Sequence, residues 1–174
     1  QLTCYNVSLI GESRDGVILY GVTDGISNPV LNLRDRTGFY LQDLTVRNDY
    51  DYGLEVLRGV AVAIYGGDKT IMKNVRMLSN QDTQVTGHRA YFEDCDIHGT
   101  VDFICGGGDN YYYRTDLVLE NRKGNVIAAP STIASHRSGY VFDHCTIKPM
   151  EGATAVEDGS YNLGRPWNNE PRAN

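Results

Sequence analysis

No stretch of the chain approaches the ~18 consecutive apolar residues of a membrane-spanning helix, so no membrane role is expected. No block of five or more like charges occurs, and the formal net charge is −6. That argues against nucleic acid as a partner, because phosphate binding needs concentrated Lys and Arg. A polyanionic ligand would likewise have to rely on local arginines. None of the four cysteines (Cys4, Cys95, Cys105, Cys145) forms a CxxC pair, which argues against a zinc ribbon or thioredoxin site. His88, His98, His136 and His144 show no metal-ligand spacing. No Gly-x-Ser-x-Gly elbow is present, which sets aside a serine esterase. Gly106-Gly107-Gly108 is not followed by Gly-Lys-Ser/Thr, which sets aside a phosphate loop. Tryptophan occurs once against twelve tyrosines, a balance that leans toward β structure. Nineteen glycines with only five prolines point to many turns rather than a disordered linker. The length of 174 residues suits one domain, 1–174, with a sizeable core.

One pattern recurs: apolar or aromatic, polar, Asn/Asp/His, apolar, polar, apolar. It reads Leu41-Gln42-Asp43-Leu44-Thr45-Val46, then Met72-Lys73-Asn74-Val75-Arg76-Met77, Phe92-Glu93-Asp94-Cys95-Asp96-Ile97 and Phe142-Asp143-His144-Cys145-Thr146-Ile147. Weaker copies are Cys4-Tyr5-Asn6-Val7-Ser8-Leu9 and Arg114-Thr115-Asp116-Leu117-Val118-Leu119. Period-two alternation marks strands, and recurrence every 20 to 40 residues marks a solenoid. Leucine-rich repeats fit poorly without LxxLxL, and no amphipathic helical pattern separates the strands as βαβ units require. The expected fold is all-β, a parallel β-helix with apolar residues inward; a β-sandwich is the alternative. The Asn/Asp/His position is expected at a bend, its side chain bonding neighbouring backbone. A β-helix also needs capped ends. The chain opens strand-like at Gln1-Leu2-Thr3, has no secretory signal, and stops just after a motif. It is expected to be a piece truncated at both ends, unstable or inactive alone.

Loops of a solenoid gather on one face, often the binding face. Three segments there carry candidate chemistry: Asn80-Gln81-Asp82-Thr83, Gly99-Thr100-Val101-Asp102-Phe103-Ile104-Cys105-Gly106 and Leu163-Gly164-Arg165-Pro166-Trp167. Asp82 and Asp102 lie 20 residues apart, about one coil, and adjacent coils are separated by ~4.8 Å. Two close carboxylates resist joint ionisation, so one tends to keep a proton near neutrality. Gln81 offers an amide N–H to a developing oxyanion. Arg165 could hold one carboxylate ionised, and Trp167 could present a flat face to a sugar ring. Each segment alone has a plain structural reading as a turn, a buried satisfied aspartate or a packed loop. Their joint occurrence in this order favours a site.

Gln81-Asp82-Thr83, Gly99 to Ile104 and Leu163 to Trp167 resemble the signature motifs of pectin methylesterases, and Val7-Ser8-Leu9-Ile10-Gly11-Glu12 resembles an early strand of that family. The resemblance implies a right-handed parallel β-helix, no metal and no cofactor. It implies pectin as partner, an extracellular or periplasmic location, and removal of methyl esters from galacturonate. Catalytic roles fall to Asp102 as nucleophile, Asp82 as general acid then base, and Gln81 as oxyanion donor. Arg165 would hydrogen-bond Asp102, and Trp167 would contact the sugar.

Two segments depart from the family pattern. Val60-Ala61-Val62-Ala63-Ile64 stands where the family has Gln-Ala-Val-Ala-Leu, so a second oxyanion donor is replaced by Val60. On that reading Val60→Gln raises the rate toward the roughly 10²–10³ one donor is worth, unless Val60 instead widens the pocket for a branched substrate. Cys105-Gly106-Gly107-Gly108 replaces a bulkier family stretch and is expected to loosen the pocket wall. The competing functions are a polygalacturonase or pectate lyase, whose motifs are missing, and a non-catalytic pectin-binding β-helix. The cysteines are expected to be free at two sites or more. Cys95 and Cys145, with the Leu117 copy between them, would lie roughly 9.6 Å apart, beyond the ~7 Å disulfide limit.

Overall fold

The computed structural model describes residues 5–34, 37–50 and 58–165. Among them every regular element is a β-strand, and six successive coils can be followed. The first holds β1 (Ser8–Ile10), β2 (Ile18–Gly21) and β3 (Leu31–Asn32). The second holds β4 (Tyr40–Asn48) and β5 (Val62–Ile64), and the third β6 (Thr70–Leu78) and β7 (Gln84–Thr86). The fourth has β8 (Ala90–Glu93), β9 (Asp96–Gly99) and β10 (Val101–Gly106). The fifth has β11 (Asn110–Tyr113), β12 (Asp116–Leu119) and β13 (Asn125–Pro130). The sixth has β14 (Tyr140–Asp143), β15 (Thr146–Pro149) and β16 (Tyr161–Gly164). Each strand pairs in parallel with its counterpart one coil away. One sheet runs β3-β5-β7-β10-β13-β16; the other strands form a larger sheet folded along a bend. The fold is a right-handed parallel β-helix: the strong repeats predicted the parallel β-helix, and the family resemblance implied its hand.

The repeat follows from how a coil turns its corner. Asp43, Asn74, Asp94, Arg114 and His144 stack at the bend with φ of 53°, 51°, 53°, 47° and 53°. Asn and Asp tolerate this left-handed conformation better than other side chains. Their side chains do not cap neighbouring backbone, as the sequence had implied. They bond one another instead: Asn74 Nδ2 donates to Asp43 Oδ1 at 2.6 Å, and Arg114 Nε donates to Asp94 Oδ1 at 2.7 Å.

Both weak repeat copies are out of register. Tyr112 pairs with Phe92 and with Phe142, so Arg114, not Asp116, occupies the fifth bend. Leu9 pairs with Leu41, which puts Gly11, not Asn6, beside Asp43. A Cβ on Gly11 would come within 2.1 Å of the Asp43 carbonyl oxygen, so the close coil approach requires glycine there. Thr115 rather than Leu117 therefore separates Cys95 from Cys145. Both thiols are free, as is that of Cys105, while Cys4 lies outside the described residues.

Inward positions stack into apolar columns. One runs Leu9-Leu41-Met72-Phe92-Tyr112-Phe142. The rings of Phe92 and Tyr112 are 4.7 Å apart, and those of Tyr112 and Phe142 4.8 Å apart, nearly parallel in both cases. Tyr112 is fully buried, and its hydroxyl donates across the interior to Gln84 Oε1 at 3.0 Å. Tyr112 thus ties the column to the strand beneath the loop face. Tyr112→Ala is expected to cost about 3–5 kcal/mol through the cavity it leaves. Tyr112→Phe, which keeps the ring and strands the Gln84 oxygen, is expected to cost about 1–3 kcal/mol. Denaturant midpoints of the two variants check this order.

Candidate active site

The outward face of β5, β7, β10 and β13 floors a cleft of about 360 Å³. Ala63, Val85, Cys105 and Ala129 stack in register there, each one coil from the next. Asp82, in the turn entering β7, and Asp102, the second residue of β10, both line the cleft. Ile104 pairs with Gln84, Cys105 with Val85 and Gly106 with Thr86, an offset of 20 residues. The Asp82 amide continues that ladder by donating to the Val101 carbonyl at 3.2 Å. Asp82 and Asp102 are therefore direct neighbours on successive coils. Both have left-handed backbone, with φ of 61° and 52°. Thr83 fixes the turn from behind, its hydroxyl lying 2.8 Å from the His98 carbonyl oxygen and 3.2 Å from that of Asn80.

The two carboxylates are almost equally buried, at 6% and 4% exposure, yet differently partnered. Arg165 grips Asp102 with one edge of its guanidinium, its Nε donating to Oδ1 at 2.7 Å and its terminal nitrogen Nη2 to Oδ2. The Arg165 amide donates to the Ala128 carbonyl at 3.1 Å, which seats the residue at the end of β16. Asp82 has a looser partner, with Arg58 Nε 3.4 Å from its Oδ2. Burial pushes the Asp82 carboxyl up to about 6; Asp102 adds to the rise, while Arg58 and Arg165 oppose it. Asp82 thus keeps its proton into mildly acidic solution, beside a carboxylate tied to an arginine. Such a division is what a proton donor beside a nucleophile requires.

Gln81 lines the same cleft. Four of the five residues singled out in the sequence converge here: Gln81, Asp82, Asp102 and Arg165. Trp167 lies outside the described residues. Among the described residues no group of three or more His, Cys, Asp or Glu side chains is placed to hold a metal.

Several lining residues escaped the sequence reading. Arg58 is the parallel bridge partner of Gln81, one coil earlier. His88 and His136, set aside for lack of metal spacing, face each other at 6.2 Å in the cleft wall. Tyr65 also lines the cleft, its hydroxyl donating to the Ile26 carbonyl at 3.0 Å. The signal that could have found Arg58 is its place about one coil before Gln81.

Matches to known proteins agree with this geometry. The sequence profile described as Pectinesterase matches residues 4–173. The chain belongs to the pectinesterase family. Pectinesterase A of Dickeya dadantii is 33% identical over 201 aligned residues, covering 95% of this chain and 54% of that protein. Among solved structures, a pectin methylesterase from Erwinia chrysanthemi superposes with a TM-score of 0.83 at 28% identity, covering 95% of this chain and 57% of that one. A pectin methylesterase in complex with a hexasaccharide gives 0.81 at 27% identity, covering 92% and 56%. The chain therefore spans little more than half the length of these relatives.

Two expectations drawn from the family's pattern need correction. Val60 is not among the residues that line the cleft. It is completely buried, packed among the floor residues Ala63, Val85, Cys105 and Ala129. A one-residue bulge follows it: the amides of Ala61 and Val62 both donate to the Thr83 carbonyl, which shifts the register ahead of β5. Nor do the glycines after Cys105 loosen the wall. A Cβ on Gly106 would lie 2.1 Å from the Thr86 carbonyl oxygen, and one on Gly108 2.3 Å from that of His88. They let coils approach closely. Val60→Gln is accordingly expected to destabilise the fold by roughly 1–3 kcal/mol through overpacking, with no gain in turnover. A thermal melt together with the rate of ester hydrolysis checks both halves.

Proposed function

We propose that the chain carries the catalytic centre of a pectin methylesterase, a carboxylic ester hydrolase acting on methylated galacturonate. The observation that carries this reading is the in-register Asp82/Asp102 pair, one carboxyl biased toward protonation and the other tied to Arg165, in a chain of the pectinesterase family. Residues 1–174 would act as one β-helix catalytic domain, and its substrate would be pectin. Relatives in plants, bacteria and fungi carry pectinesterase names, and the polymer lies outside the cell. That supports a secreted protein, extracellular or periplasmic.

In the proposed reaction an Asp102 oxygen attacks the ester carbonyl carbon. The electron pair moves to the carbonyl oxygen, where the Gln81 amide donates a hydrogen bond worth about 10²–10³ in rate. Collapse breaks the bond to the methoxy oxygen, which takes the Asp82 proton and leaves as methanol. The acyl group is then held on Asp102 as an anhydride. Asp82, now ionised, takes a proton from water as the water oxygen attacks the same carbon. Asp102 leaves as carboxylate, and Asp82 is again protonated. Covalent catalysis divides one hard step into two easier ones. Trp167 would contact the sugar.

Asp102→Asn is expected to abolish methanol release from methylated pectin with an unchanged circular dichroism spectrum. Asp82→Asn is expected to lower turnover by roughly 10²–10⁴. Methanol release by Asp102→Asn at the wild-type rate would sink the assignment. Acylation needs Asp82 protonated, so kcat/KM is expected to fall as pH rises through about 6. A kcat/KM profile flat across pH 5 to 7 would assign the proton donor elsewhere.

A further inference from the structure

Arg58 has no place in the motifs that point to the site, yet the fold delivers it to Asp82. As the bridge partner of Gln81 it sits one coil before the carboxylate pair and lines the same cleft. Its Nε is 3.4 Å from Asp82 Oδ2. Its side chain is 60% exposed against 9% for that of Asp82, so a solvated cation leans over a buried acid. Asp82 and Asp102 thus each have their own arginine, on opposite sides of the pair.

The two arginines hold their partners differently. Arg165 makes paired short hydrogen bonds, one to each Asp102 oxygen. Arg58 stands beyond the ~2.7–2.9 Å of a charge-assisted hydrogen bond. It supplies field rather than a tight bond. Asp82 must be neutral while methanol leaves and charged while water attacks, so a partner that locked either state would slow one half of the cycle. A looser cation steadies the charged state without enforcing it.

We propose that Arg58 is a positioning residue for the ester hydrolysis, orienting the Asp82 carboxyl and steadying its charge between proton donation and proton uptake. The proposal rests on the esterase reading above. The charged and titratable groups around Asp82 are Arg58 and Tyr65 from the preceding coil, Asp102 and Cys105 from the next, and Arg165 beyond. His88 and His136 stand in the cleft wall. Burial and Asp102 raise the Asp82 carboxyl, and of the opposing charges Arg58 has the largest effect. Removing that cation therefore favours the protonated form.

The test compares wild type, Arg58→Gln and Arg58→Lys in methanol release from methylated pectin across pH. In Arg58→Gln the alkaline limb of kcat/KM is expected to move up by roughly half to one pH unit, the low end for a charge this close because the guanidinium is exposed. Arg58→Lys should keep the limb near its wild-type position. Raising salt from about 0.01 M to about 1 M shortens the screening length from roughly 30 Å to 3 Å. That should carry the wild-type limb toward the Arg58→Gln value while leaving Arg58→Gln in place. Equal limbs in wild type and Arg58→Gln would overturn the proposal. A second readout needs no turnover: the ¹³C-carboxyl resonance of Asp82, identified by its loss in Asp82→Asn, should titrate at higher pH in Arg58→Gln. If the wild-type protein releases no methanol, the esterase reading falls, and this titration decides the Arg58–Asp82 coupling alone. An unmoved midpoint rejects it.

Discussion

The hydrogen-bond ladder between successive coils is the constraint from which the rest of the molecule follows. Once parallel strands stack in register, a residue can meet only its counterpart one coil away. From the third coil to the fourth that counterpart is 20 residues on. The bend column, the aromatic column inside and the cleft floor outside are all expressions of this one translation. The carboxylate pair is another. No loop has to be folded over to bring Asp82 and Asp102 together, because the ladder that holds β7 against β10 sets their spacing. A site built on such a scaffold inherits its rigidity, which suits chemistry that depends on two acids staying close without sharing a fate.

The ladder makes the two carboxylates neighbours, and charge placement makes them different. Both lie in nearly the same degree of burial, so desolvation alone would treat them alike. Arg165, arriving from two coils further on, breaks the equivalence by binding Asp102 on both oxygens. Asp82 is left with burial, a negative neighbour and a loosely held cation, and its carboxyl rises accordingly. Cys105 is caught in the same field. Its thiol, in the cleft floor, is pushed well above its ordinary range by burial and by both aspartates. It serves as inert packing, not as a competing nucleophile.

Much of this was legible in the sequence wherever alternation was strict. The copies at Leu41, Met72, Phe92 and Phe142 could be read because each has an apolar residue pointing in and an Asn, Asp or His at the corner. The copy at Tyr112 was misplaced by two residues because its corner is Arg114, which holds a left-handed backbone while its guanidinium pairs with Asp94. The first was misplaced because its corner is Gly11, a residue that carries no pattern. The site was legible for a related reason: its members fall in compact motifs, and a 20-residue gap is one coil. Arg58 and Val60 were not. Their segment passes through a bulge, and a single inserted residue breaks the period-two alternation by which lining Arg58 and buried Val60 could have been told apart.

The left-handed backbone at Asp82 and Asp102 also limits how this surface can drift. At such φ values Asp, Asn and Gly are accepted at little conformational cost, while most other residues meet strain of order 1 kcal/mol or more. Asparagine is one nucleotide change from aspartate. The shortest mutational route away from two reactive carboxylates therefore leads to a chain with the same coils, the same cleft and a side chain of the same shape. A descendant that keeps the cleft and loses the acid pair is closer in sequence space than one that has lost its fold.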